Sequence, residues 1–298
     1  MSERTNSLMR LWFRVLFMIV LYAGLAGFFS AASRGGAGSE DVQARLNTDI
    51  AAGRPVVVHV VVALCDNVNQ GIVPVPKALG NGQDPRSNLY WGALYGLRTH
   101  LTRAGGWERV ANPGIADEHI LERSVFRSHV QRSGSSIPVY IVADAWDGAY
   151  IRPATSRFLE MAAGIGPELV RISCDGSTID LHAGARAHLV AYIGHNGLMD
   201  FSLPLPAAGI SIDEPRSVVV LACASKSYFL DAVSGSRSQP LLLTTGLMAP
   251  EAYTFDAAIR AWISDGSTAR VVEAAARAYN QYQKCGIRAA RKLFWGFP

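Results

Sequence analysis

The chain has 298 residues, 49% of them apolar, which is enough to bury one sizeable core in a single α/β domain. Its formal net charge is +4, and residues 1–32, with Arg4, Arg10, Arg14 and Glu3, carry two of those charges. A remainder so close to neutral gives no support to nucleic-acid binding.

Arg4, Arg10 and Arg14 precede the apolar run Val15–Phe29, and Ser30-Ala31-Ala32-Ser33 follows it. Small residues at Ser30 and Ala32 fit a signal-peptidase site with cleavage after Ala32. The alternative is an uncleaved anchor from Leu11 to Phe29, long enough to span a bilayer but interrupted by Arg14. Both readings place the rest of the chain outside the cytoplasm: periplasmic, secreted, or membrane-anchored by the N-terminus. The membrane enters only through that segment, if it is uncleaved. The organisation expected is therefore a targeting segment over 1–32, a leader over 33–52 and one α/β domain over 53–298.

Cys65, Cys174, Cys223 and Cys285 are too few and too widely spaced for a dense disulfide framework. One disulfide among Cys65, Cys174 and Cys285 is compatible with export and leaves Cys223 free. No CxxC is present and no His or Cys group has zinc spacing, so neither a metal nor an organic cofactor is expected.

Along the domain, Asp41–Ala52 predicts a short helix. Arg54-Pro55 introduces a strand over Val56–Leu64, rich in β-branched residues, with His59 as a packed core histidine. It ends on Cys65-Asp66-Asn67, and a long loop through Gly71, Pro74, Pro76, Gly80, Gly82 and Pro85 follows. Loops of that length usually serve function, and this one is expected to wall a site. Ser87 or Asn88 would cap a helix over Leu89–Thr102, which Gly105-Gly106 ends. Trp107–Ala111 predicts a short strand, and Asp117–Arg132 a helix with much polar surface. Ile137–Ala143 is a strand leading into the turn Asp144–Gly148, and Pro153–Ala163 is a helix. Gly164-Ile165-Gly166 lacks the third glycine and the context of a dinucleotide fingerprint. Leu169–Leu181 reads as a hairpin about Asp175-Gly176. Two buried strands follow, one before His195 and one before Cys223. A strand over Pro240–Thr245 and helices over Thr254–Ile263 and Thr268–Phe294 complete the chain. The order is that of an α/β fold with a mainly parallel sheet and helices on both faces.

The two strands before His195 and Cys223 carry the chemistry. AHLVAYIG leads into His195-Asn196-Gly197, and RSVVVLA leads into Cys223-Ala224-Ser225. Apolar runs without polar alternation suit strands covered on both faces, and functional groups in such sheets collect at the strands' carboxyl ends. His195 and Cys223 are thus expected at one edge, close enough for imidazole to take the thiol proton and return it to a leaving group. Backbone at Gly194, Asn196 and Gly197 is the expected oxyanion site. Ser225 or Ser227 would cap a helix directed at the thiol. Asp66, Asp84, Arg86, Asp144 and Ser225 are the candidate substrate-binding residues.

Ala222-Cys223-Ala224-Ser225-Lys226-Ser227-Tyr228-Phe229 resembles the cysteine motif of the clan CD cysteine peptidases, the caspase-haemoglobinase group, and of its legumain and GPI-transamidase branch above all. The family's second motif is a hydrophobic strand ending in His-Gly, where this chain has His195-Asn196-Gly197. The resemblance covers only these two stretches. It implies an α/β/α sandwich, a Cys223/His195 dyad acting on peptide amide bonds, and an Asn after the first strand that orients the histidine, here Asn67, with Asn69 behind it. The family's acidic or polar residue after the cysteine is Ala224 here, so no preference for Asn or Asp at the scissile bond is implied. The expectation is an exported cysteine peptidase or transpeptidase with a peptide or protein substrate. The alternative is a catalytically inactive caspase-like binding or scaffold protein of the cell envelope.

Overall fold

In the computed structural model, residues 38–297 are described apart from 116, 207–211, 236 and 265. The segment read as a signal peptide or anchor lies outside the described residues. Among these, no helix is long and apolar enough to cross a membrane.

The framework is an eight-stranded mixed sheet built on β1 (Val56–Ala63), whose eight residues are all buried. β4 (Ser135–Trp146) pairs parallel to one side of it and β7 (Leu189–Ile193) to the other. β8 (Arg216–Leu221) and β9 (Ser238–Thr244) continue the parallel set beyond β7. β3 (Ile120–Arg132) and β2 (Glu108–Ala111) extend it antiparallel beyond β4, and β10 (Phe294–Trp295) closes the other edge against β9. β5 (Pro167–Cys174) and β6 (Ser177–Gly184) form a separate hairpin. Its turn, Asp175-Gly176, has both residues at positive φ, the type I′ geometry that Asp-Gly favours.

Alternation along β1 divides the core in two. Val56, Val58, Val60 and Val62 join α1 (Ser39–Ala51), α2 (Leu97–Arg103), α5 (Ala252–Ser264) and α6 (Thr268–Gln283) on one face. Val57 and Val61 join α3 (Ile151–Ala162) and α4 (Ser225–Val233) on the other. Both faces being covered is the reason the parallel strands are mainly apolar without polar alternation. Much of the leader expected over 33–52 is α1, in the same compact unit as the sheet, with Val42 and Leu46 in the core.

Two buried histidines on β1 and beside β7 are structural. The Gly184 amide donates to His59 Nδ1, so Nε2 holds the proton and donates to Asp144 at 2.9 Å. His188 is wired likewise, accepting from the Val57 amide and donating to Asp49 on α1 at 2.8 Å. His59 is thus the packed core histidine the sequence implied.

Three elements differ from expectation. Residues 117–132 are not a helix: Ile120–Arg132 is β3, paired on both sides, and the two-residue turn Ser133-Gly134, with both φ positive, joins it to β4. Pairing on two flanks outweighs the polar pattern that suggested a helix. The helix expected from Leu89 begins only at Leu97, because Asn88 donates to and accepts from the Cys65 backbone and holds residues 88–96 in turns. The C-terminal helix breaks at Lys284 and Gly286, both at positive φ, into α6 and α7 (Ile287–Leu293), so that Phe294 turns back to pair with β9.

Candidate active site

The parallel set places the carboxyl ends of β1, β4, β7, β8 and β9 along one edge. Ile193 on β7 is level with Leu221 on β8, which puts His195 and Cys223 on neighbouring chain ends two residues beyond that rung. Strands in a sheet lie about 4.8 Å apart. The sequence therefore places both groups at one edge, and the structure agrees.

The backbone at each end is held tightly. Gly194 has φ +151°, and a Cβ there would stand 2.7 Å from the Ala63 carbonyl, so glycine is required for β7 to turn beside β1. The buried Tyr192 hydroxyl donates to the His195 carbonyl at 2.8 Å. At the other end Ala224 sits in the left-handed region, φ 48°, a costly conformation for a residue with a Cβ. It turns the chain sharply from β8 into α4, leaving Cys223 at the bend. The Ala224 amide donates to the Gly246 carbonyl at 2.8 Å.

Asn196 joins the two ends. Fully buried, its Nδ2 donates to the Cys223 carbonyl at 2.6 Å, and its Oδ1 accepts from the Leu198 amide at 3.1 Å. The resemblance has no residue between His and Gly, so its motif gave no hint of this clamp.

The side chains of the pair have different partners. His195, 8% exposed, is bonded through Nε2 to Asp200 Oδ2 at 2.6 Å, and Nδ1 takes no hydrogen bond among the described residues. Cys223 Sγ accepts from the Met248 amide at 3.4 Å and donates to the Met248 carbonyl at 3.5 Å. Burial raises its pKa, and the Met248 amide offsets that only in part, so the resting group is a thiol. The pair is adjacent but not joined by a hydrogen bond.

Asp200 is the residue at this candidate site that sequence reasoning missed. It lies in the segment after the His195 strand and also accepts from the Gly71 amide at 3.3 Å, tying the first long loop to the histidine. A cavity of about 510 Å³ opens beside it, between Asn69 and Gly71 on one side and Ile151, Arg152 and Phe201 on the other. The only signal in the chain was a carboxylate five positions beyond a candidate histidine.

The remaining expected site residues serve the scaffold. Asn67 does not orient His195: its carboxamide donates to the Val75 carbonyl at 2.7 Å and accepts from the Val75 amide at 2.9 Å, closing a loop on itself. Asp66 is buried, and although burial works against its charge, bonds from the Asn69 and Gln83 side chains and the Val68 and Asn69 amides hold its pKa below the ordinary value. Asp84 binds Arg86 and Ser87 beside it in the same loop. Asp144 is not in a turn but inside β4, its carboxylate clasped by Arg123 at 2.5 and 2.7 Å and by His59. Ser225 caps nothing: Ala224 is the N-cap of α4, and the Ser225 hydroxyl donates to the Val220 carbonyl at 2.9 Å and meets Thr244 Oγ1 at 3.1 Å. The Gly194 and Gly197 amides donate to Leu221 and His195 carbonyls, so neither is open to an oxyanion.

All four cysteines are free. Cys65 and Cys174 belong to opposite faces of the sheet and Cys285 is exposed, so the disulfide the sequence allowed does not form. Burial pushes the Cys65 thiol up to about 11. Among the described residues no three His, Cys, Asp or Glu side chains are grouped to hold a metal.

Elements and pairing together define an α/β protein with a mainly parallel eight-stranded mixed sheet. No protein-family model matches the chain, and no curated protein or solved structure matches it.

Proposed function

We propose that this chain is a cysteine hydrolase or transpeptidase of the caspase-haemoglobinase type, acting on peptide amide bonds outside the cytoplasm. The observation that carries the reading is the His195–Asp200 bond at the strand end next to Cys223. A carboxylate on Nε2 holds the ring in one orientation, leaving Nδ1 to exchange a proton with the thiol.

In the reaction this implies, Cys223 passes its proton to His195 as sulfur bonds to the amide carbonyl carbon. The carbon–nitrogen bond then breaks, and His195 returns the proton to the departing amine. Water, or an acceptor amine, attacks the thioester and regenerates the thiol. A thiol of raised pKa suits proton transfer during attack rather than a preformed ion pair. A peptidyl acyloxymethyl ketone tests the reading. It should label Cys223 in the wild type, and His195→Ala should abolish labelling in a protein that keeps its fold. Equal labelling of His195→Ala and wild type would remove His195 from the chemistry.

One observation favours the inactive binding protein instead: Cys223 Sγ is held by both polar atoms of the Met248 backbone. That reading predicts that Cys223→Ser retains full biological activity.

A further inference from the structure

Loops at one edge of the sheet expose several large apolar side chains. At the edge holding Cys223 and His195, Val68, Val73 and Leu94 on the β1–α2 loop and Leu247 on the β9–α5 loop are each more than half exposed. Met199, in the segment beyond His195, is 43% exposed. Exposed apolar side chains scattered singly need no explanation, but a set gathered at one edge marks a contact surface.

Two members of the set lie on segments joined to the surroundings of the thiol. Leu247 directly precedes Met248, whose amide and carbonyl both meet Cys223 Sγ. Leu94 directly precedes Tyr95, whose carbonyl accepts from the Ala252 amide on the same β9–α5 connection.

Carboxylates on these loops are already committed inside the protein. Asp66 binds Asn69 and Gln83, Asp147 binds Gln83, Asp200 binds His195, and Glu251 binds Tyr253 and Gln283. Burial raises the Glu251 pKa, so it is a weak counter-ion for a basic side chain. Arg152 lies over the Phe201 ring, 4.2 Å from its centroid, and donates to the Ser202 carbonyl.

We infer that the substrate is a peptide with a large apolar side chain at the scissile residue, packed against Leu247 and Leu94. This rests on the hydrolase reading above. An apolar contact surface gains from each methylene buried against it, whereas an ionised side chain laid on it loses water uncompensated.

Peptidyl acyloxymethyl ketones differing only in the scissile residue test it: Leu, Phe, Asn, Asp and Arg. The exposed Lys77 on the first loop is the reason for including Asp. Leu or Phe should label Cys223 at least about tenfold faster than the three polar probes. Leu247→Asp should cut the Leu rate by about tenfold while iodoacetamide still alkylates Cys223 at the wild-type rate. A polar probe that labels as fast as Leu overturns the apolar inference and leaves the hydrolase intact. If none of the five labels Cys223 while iodoacetamide does, the hydrolase reading fails and the inference with it.

Discussion

Replacing Asp200 by Asn separates a positioning carboxylate from a merely structural one. Asp200 Oδ2 lies 2.6 Å from His195 Nε2. An unscreened pair about 4 Å apart at an effective dielectric constant near 20 interacts by about 4 kcal/mol. The Asp200 side chain is 38% exposed, so solvent reduces this to about 1–2 kcal/mol. That range corresponds to about 5–30-fold in the rate of a step that charges the imidazole. The maximal inactivation rate by a Leu-directed acyloxymethyl ketone at pH 7 should therefore fall by about tenfold in Asp200→Asn. The concentration for half-maximal rate should stay constant, because Asn still bonds the ring and the Gly71 amide but carries no charge. Asp200→Glu should recover part of the loss. A purely structural role predicts instead a drop in thermal stability and a changed half-saturation, with no effect confined to the maximal rate. Asp200→Asn reacting at the wild-type maximal rate would refute the argument.

Three further outcomes follow from the same contacts. Asn196→Ala leaves the Cys223 carbonyl and the Leu198 amide without their partner, which should cost about 2–4 kcal/mol in urea unfolding and slow labelling of Cys223; stability equal to wild type would show that the clamp carries no load. Asp144 keeps its charge against burial because Arg123 and His59 hold its pKa at about 2 rather than 3.8. A depressed carboxyl stabilises the fold fully above its unfolded value and loses that contribution as pH falls from 3.8 towards about 2, here about 2 kcal/mol. Urea midpoints should show this acid limb in the wild type and a flatter one in Asp144→Asn. In native protein, iodoacetamide followed by mass spectrometry should modify Cys285 first, Cys223 more slowly and Cys65 only on unfolding, as exposure and burial order them. Denatured, unreduced protein should yield all four thiols, and fewer would reveal a disulfide absent from this fold.

Much of the framework was legible before any coordinates. Val56–Ala63, Leu189–Ile193 and Val218–Leu221 are apolar runs, interrupted only by His59, that suit a sheet covered on both faces, and their alternation with helices implies parallel pairing. That is also why His195 and Cys223 were placed together at one edge: position along a parallel strand decides which edge its end reaches. β3 was misread because Ile120–Arg132 has a polar, half-exposed pattern, and only its neighbours β2 and β4 supply the hydrogen bonds that make it a strand. Ser133-Gly134 was the local signal that could have revealed it.

Partnership, unlike placement, belongs to the tertiary structure. Cys223, His195 and Asn196 could be named from the chain, but not that Asn196 would hold the Cys223 carbonyl, that Asp200 would take His195 Nε2, or that Met248 would hold the thiol. Asn67, Asp66, Asp144 and Ser225 are polar residues near strand ends, just as catalytic residues would be, yet each is drawn into bonds that close loops and fix strands. A hydrogen bond depends on separations of a few tenths of an ångström between residues distant in the chain. Apolar periodicity determined where the two chemical groups stand; only packing decided what each of them touches.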